Sequence, residues 1–329
     1  MRLTPPARGA ALTRRALAVP GRGQPLPVLT VEHATSGPRA AVCANLHGDE
    51  CVGIGVVHRL AELLPAALSC GAVRLYPSLN LAGLRAGCRA LPGQDTDLNR
   101  AFPGDPRGDF TSRVAYTLWQ DLSSFRPDLV LDLHADSPAS IPYAILDRPI
   151  TSRARERTAA LRRLEELAQA TGLTVVRDYA EGSYRTHRLD RSLSGALLNH
   201  GDALAFTLEL GPRRMLARRA VDDGLDAVLG VLTALGLVAA PAAPHPSRTT
   251  GGPWRRDAGP HTTHAGLLCP QVHPGARLPA GEALVEVREV DGTVVERLLV
   301  TEPTLVLALS EQGWAEPGST PATVAVLER

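Results

Sequence analysis

The short apolar run LVLDLH, residues 129–134, constrains the fold more than any other stretch of the chain. A strand of this kind belongs inside a sheet covered on both faces. Related runs surround it: PVLTVEH (27–33), RAAVCAN (39–45), AVRLYPS (72–78), LTVVRDY (173–179) and ALAFTLEL (203–210). Helical patterns separate them, from about Glu50 to Leu64, Thr111 to Ser124, Thr151 to Thr171 and near Ser192 to Asn199. This alternation predicts an α/β fold, a mostly parallel mixed sheet flanked by helices. Residues 82–106 are rich in Gly and Pro and show no period, and long loops of that type are often functional.

The pattern changes near Ala239. AAPAAPHPSRTTGGP reads as a linker. Beyond it, ALVEVREVDGTVVERLLV alternates β-branched and charged residues around Asp291-Gly292, a hairpin signal. TLVLALSE and ATVAVLE add strands. We therefore expect a catalytic α/β domain over 1–240 and a small C-terminal all-β domain over 250–329, with Trp254 anchoring the latter.

Charge and cysteine content exclude several classes. The formal net charge is +1, all 35 basic residues are Arg, and no long basic block exists, so nucleic acid is not an expected partner. The five Cys are odd in number and include no C-x-x-C, which argues against a disulfide framework or a Cys-rich zinc site and fits a reducing compartment. There is no continuous apolar segment of signal-peptide type near the start. No apolar run reaches the roughly 18–20 residues a spanning helix needs. The best candidate, Val221 to Ala240, carries Asp222, Asp223 and Asp226. The expectation is a cytoplasmic protein with no membrane partner; a homo-oligomer stays open.

Four segments place polar residues where apolar strands end. In NLHGDE (45–50), His47 and Glu50 are three apart and can face one point at a helix start. In DLHAD, His134 ends the strand 129–134, and ligand sites in open α/β sheets lie beyond the carboxyl ends of strands. Two His and one Glu are ordinary zinc ligands and leave a fourth position for water, the catalytic arrangement. In TLELG (207–211), Glu209 stands in an apolar run, where a charge is costly unless paired or used, and a base near the metal would use it. In DTDLNRAFPG (95–104), Asn99 and Arg100 can grip a substrate carboxylate. Each piece has a plainer reading. Glu209 could be half of a buried ion pair, and Asp97 could cap a helix with Arg100 in solvent.

Taken in order, NLHGDE, DLNRAFPG, DLH and the E-x-G strand end resemble the zinc carboxypeptidase superfamily, and the DLNR-x-FPG form resembles its succinylglutamate desuccinylase and aspartoacylase family. The resemblance implies one zinc per chain on His47, Glu50 and His134. It implies Glu209 as the catalytic carboxylate and Asn99 with Arg100 on the substrate carboxylate. It also implies an Arg that polarises the scissile carbonyl; Arg89 matches best and Arg85 is the alternative. The segment YAEGSYRTHRLDRS (179–192) falls where the family places a substrate-facing loop, offering Tyr184, Arg185, His187, Arg188 and Arg191; any of these Arg could hold a second substrate carboxylate, and the plainer reading is a solvated basic loop. The implied activity is hydrolysis of the amide bond of an N-acyl amino acid. The competing readings are a carboxypeptidase or amidase acting on peptides or cell-wall fragments, a zinc-dependent esterase, and a non-catalytic zinc-binding protein. His58, His200 and His273 read as structural or surface residues. His261 and His264 form an H-x-x-H that offers a second metal site.

Overall fold

A computed structural model describes residues 9–21, 25–239 and 252–328. The first half of the chain contains β1 (Ala11–Leu17), β2 (Leu26–Glu32), β3 (Arg39–Ala44), α1 (Val52–Ala67), β4 (Ala72–Tyr76), α2 (Leu81–Ala86), α3 (Phe110–Phe125) and β5 (Leu129–His134). There follow β6 (Ala139–Ser140), β7 (Tyr143–Leu146), α4 (Ser152–Glu156), α5 (Thr158–Gln169), β8 (Thr174–Arg177), α6 (Glu181–Thr186), α7 (Leu193–His200), β9 (Leu204–Glu209) and α8 (Arg218–Ala234). The C-terminal part holds β10 (Trp254–Asp257), β11 (Gly266–Pro270), β12 (Arg277–Leu278), β13 (Ala283–Arg288), β14 (Val294–Leu299), β15 (Thr304–Leu309), β16 (Trp314–Ala315) and β17 (Ala322–Leu327).

One large sheet has the order β1-β2-β4-β3-β5-β9-β7-β8-β10-β17-β15-β12. Its centre, β4-β3-β5-β9, is parallel, as covered apolar strands should be. Helices α1, α5 and α8 cover one face, burying Val56, Leu60, Leu167 and Val228. Helices α3 and α7 cover the other with Val114, Leu118, Leu193 and Leu197. The apolar residues of α1 recur at three- and four-residue intervals, with Val52, Val56, Leu60 and Leu64 four apart and Val57 three before Leu60, the spacing that turns one helix stripe to the sheet. Among the described residues, no helix is long and apolar enough to cross a membrane.

The C-terminal strands divide between two sheets. β10, β17, β15 and β12 continue the large sheet, and β10 joins it by pairing parallel with β8. β14, β13, β11 and β16 form a separate four-stranded antiparallel sheet, with Asp291 and Gly292 in the β13–β14 turn. The linker read at 239–253 lies mostly in residues 240–251, outside the described residues.

Local differences from the sequence reading have local causes. The helix expected over 151–171 breaks at Arg157, whose ψ of 45° is not helical, giving α4 and α5. The stretch 82–106 begins inside α2, which Asn80 caps by accepting from Gly83 N and left-handed Gly87 ends. β1 and β7 also stand where no strand is read from the sequence.

Candidate metal centre

The centre is built at the carboxyl ends of β3, β5 and β9. After β3 the chain turns at Asn45, whose φ of 59° is left-handed. The Asn45 side chain stabilises this turn: Nδ2 donates to the carbonyls of His47, Gly48 and Glu50 at 2.8, 3.1 and 3.2 Å. Ser78 Oγ donates to Asn45 Oδ1 at 2.6 Å. A Cβ on Gly48 would sit 2.2 Å from the Gly83 carbonyl carbon, so the turn presses directly on α2. The loop thereby fixes His47 and Glu50 above β5.

His134 enters from the end of β5, in register with Glu209 on the adjacent β9. His47 Nδ1 lies 2.8 Å from Glu50 Oε1, and His134 Nδ1 lies 2.8 Å from Glu50 Oε2. The two Nδ1 atoms are 3.1 Å apart. All three residues are buried, and their donor atoms fall within 4.8 Å of one another. Among the described residues no other group of three His, Cys, Asp or Glu is so placed. Two imidazole nitrogens and a carboxylate aimed at one small volume match the donor chemistry of a zinc site.

The outward-facing nitrogens support the same reading. His134 Nε2 is 2.9 Å from Asp132 Oδ2, and His47 Nε2 is 3.1 Å from Asp97 Oδ1. Carboxylates in these positions fix ring orientation and tautomer in metal centres. Asp97 also accepts from Arg89 Nη2 at 2.9 Å and caps the turn at Leu98–Arg100 by accepting from Asn99 N at 2.8 Å. Thus one carboxylate joins a donor histidine, Arg89 and the segment that carries Asn99 and Arg100. Burial opposes its charge, but the hydrogen bond and charge of His47, with Arg89, hold Asp97 well below the usual carboxylate range. Burial likewise opposes Glu50, yet His47 and His134 hold it well below that range. Against its own burial, His134 is raised well above the usual imidazole value by Asp132 and Glu50.

Glu209 faces the same cavity, and its Oε2 is buried without a hydrogen-bond partner. Burial, with Glu50 and Asp136 nearby, pushes it up to about 8, while His134 and Arg256 pull the other way. A cation at the three donors would favour its ionised form. Arg89 lines the cavity with Nη1 3.3 Å from Glu50 Oε1, whereas Arg85 does not line it. Asn99 and Arg100 line it too. Asn99 Oδ1 accepts from Leu193 N at 2.8 Å, and Nδ2 approaches His134 Nε2 at 3.3 Å. The Arg100 guanidinium donates to the carbonyls of His187 and Asn99, both at 2.7 Å.

Several residues of the loop at 179–192 stand apart from this cavity. Tyr184, Arg185 and Arg188 do not line the cavity. Winding of α6 sets Arg185 one turn from Glu181, to which it donates at 2.8 Å. Arg188 is exposed on a left-handed backbone. Tyr184 is buried against Ile150 and Leu189, and its hydroxyl donates to Asp147 at 2.7 Å. Asp147 does line the cavity, as do Asp136, Asp178, Ser194, Thr207, Arg213 and Arg256, none of which the motifs single out. His261 and His264 do not converge on a metal site; they contact Thr320 and Thr263, respectively. A larger cavity of about 1150 Å³ lies at the amino ends of the central strands β3, β5 and β9, beside Trp119, Asp128 and Leu204, and contains none of the donor cluster.

Comparison with known proteins places this geometry. The family profile described as the succinylglutamate desuccinylase/aspartoacylase catalytic domain matches residues 36–235. A curated relative, the N-alpha-acetyl-L-2,4-diaminobutyric acid deacetylase of Halomonas elongata, is 36% identical over 121 residues, which is 36% of this chain and 35% of that protein. The match thus spans about a third of the relative's length. A succinylglutamate desuccinylase from Silicibacter sp. TM1040 superposes with a TM-score of 0.77 at 20% identity, covering 99% of this chain and 98% of that one. The product-bound ectoine utilization protein EutE (DoeB) from Ruegeria pomeroyi gives 0.78 at 21% identity, covering 98% of each.

Proposed function

Because the chain belongs to the succinylglutamate desuccinylase/aspartoacylase catalytic-domain family, we propose that it is a zinc-dependent hydrolase of the amide bond in a small N-acyl amino acid. The observation that carries this reading is the convergence of His47, Glu50 and His134 beside the unpartnered Oε2 of Glu209. One zinc ion held by those three residues would supply Lewis acidity at the scissile carbonyl and make water a stronger nucleophile.

The protein's own groups supply the rest. Glu209 takes the proton of the attacking water and delivers it to the leaving nitrogen as the C–N bond breaks. The products are the carboxylate of the acyl group and the free amine. Arg89 stabilises negative charge as it develops on the carbonyl oxygen, where a fixed cation contributes most. Arg100, whose guanidinium has only carbonyl acceptors, is left with its charge for the substrate carboxylate. Asn99 joins it by a tautomer argument. Were His134 to hold the ion through Nδ1, its Nε2 would carry the proton and donate to Asp132. That nitrogen would then have no lone pair for Asn99 Nδ2, whose hydrogens would remain for substrate.

Substrate size follows from the cavity. Its volume of about 170 Å³ is below the roughly 300–1,000 Å³ of ordinary ligand clefts, which favours a compact acyl-amino acid over a peptide. The short acyl group of the curated relative's named reaction supports the same reading. We expect Glu209→Gln to retain one zinc per chain while losing at least about a thousandfold in kcat, since both proton transfers pass through that carboxylate. The check is metal content and hydrolysis of N-acetyl amino acids on the same sample. Turnover near that of the parent would remove Glu209 from the mechanism.

A further inference from the structure

The cavity has a second polar end, down the face of the sheet from the metal donors. Thr207 lies two residues before Glu209 on β9 and on the same face, so about 7 Å of strand separates the two levels. Thr207 Oγ1 and Ser194 Oγ lie 3.0 Å apart. Ser194 in turn hydrogen-bonds the carboxyl of Asp147, which follows β7 and also receives the Tyr184 hydroxyl. Asp147 is only 8% exposed. Asp178, after β8, lines the same end and accepts from Arg256 Nη1 at 3.2 Å and from Tyr179 N at 2.8 Å.

Charge at this end is unbalanced. Arg256 pairs with Asp178, which Arg100 also approaches, whereas among the described residues no ion pair is formed by Asp147. The hydrogen-bond donors to Asp147 are neutral hydroxyls. Burial and the nearby Asp178 push Asp147 up to about 7, as expected of a buried acid beside another acid. The arginines of α6 and the turn after it do not line the cavity, so they offer no anchor for a second substrate carboxylate.

Resting on the deacylase reading above, we propose that Asp147 receives a cationic amino group on the side chain of the substrate's amino-acid portion. The substrate class is therefore an N-acyl diamino acid. Its carboxylate meets Arg100, its amide meets the metal centre and Glu209, and its distal ammonium lies at the level of Thr207 and Ser194. Fully extended, two methylenes put the ammonium about 5 Å from the amide nitrogen and four put it about 7 Å away, the range that reaches toward this level. A dicarboxylic amino acid would instead bring a second anion against two acids.

The test uses the zinc-loaded full chain with three substrates: Nα-acetyl-L-2,4-diaminobutyrate, Nα-acetyl-L-norvaline and Nα-acetyl-L-glutamate. The diamine should give the highest kcat/KM by at least about tenfold. Asp147→Asn should erase that preference, and Asp147→Glu should restore part of it. Titration calorimetry with free L-2,4-diaminobutyrate, L-norvaline and L-glutamate should give the same order of affinity without any need for turnover. If no amide is cleaved but the diamine still binds best, the hydrolase reading fails and the subsite stands. If amides are cleaved but norvaline or glutamate is preferred, or folded Asp147→Asn keeps the diamine preference, the subsite fails alone. Should Asp147→Asn not fold, the order of the three ligands on the parent protein decides.

Discussion

At the scale of single residues, Asp97 does more than the helix-capping role its position in DTDLNR suggests. Its two oxygens hold His47 and Arg89 while its backbone turn presents Asn99 and Arg100. Asparagine at this position could still cap the turn, but it would bring no charge to the imidazole or the guanidinium. Asp97→Asn should weaken zinc binding by about 10–100-fold, the usual cost of losing a carboxylate behind a metal-binding histidine. At saturating zinc, kcat should fall while KM for an N-acetyl amino acid changes little, because the role proposed for Arg89 lies in the transition state. A chelator-competition titration beside steady-state kinetics measures both. Unchanged zinc affinity and kcat would mean that Asp97 only caps its turn.

At the scale of elements, the loop between β3 and α1 depends on contact with α2. Gly48 is the tightest point, with Gly83 backbone atoms 2.2–2.5 Å from where a Cβ would stand. Gly48→Ala must push the loop off α2 and carry His47 and Glu50 with it. We expect a loss of about 1–3 kcal/mol in the stability of the metal-free protein, the range for overpacking, and weaker zinc binding. Urea denaturation and zinc titration check the pair, and parental values for both would contradict the contact. The elements that carry the donors were legible because their signals are local. LVLDLH and ALAFTLEL are apolar strands ending in a charged or imidazole side chain, and His47 and Glu50 share one short segment. Other elements had weaker signals. β1 is a mostly exposed edge strand whose sequence, ALTRRAL, carries more charge than pattern. β7 is four residues long and follows Pro142 directly, so neither its length nor its start announces a strand. The arginines of 179–192 looked free in the sequence because helix pairing such as Arg185 with Glu181 appears only once α6 is wound.

At the scale of the whole molecule, the cavity is lined from both the α/β part and the C-terminal strands. Arg256 on β10 and Thr323 on β17 close a wall that the first 239 residues leave open, because β10 adds to the large sheet beside β8. No spacing rule links Arg256 to Asp178, which stands 78 positions earlier, so the charge balance at the cavity's far end became visible only in three dimensions. The sheet that aligns His134 with Glu209 also carries Asp147 and Asp178 at the end of the cavity away from the donors. The proposed metal centre and the proposed ammonium subsite therefore share one sheet.

The claim beneath all of this is that His47, Glu50 and His134 bind one zinc ion on which hydrolysis depends. Its most direct measurement is zinc titration of the metal-free protein, following bound metal and hydrolysis of an N-acetyl amino acid together, for the parent and for His134→Ala. The account predicts saturation at one zinc per chain, activity rising in proportion to occupancy, and loss of both in the variant. Full hydrolysis by the metal-free protein, or undiminished zinc binding and turnover in His134→Ala, would contradict it.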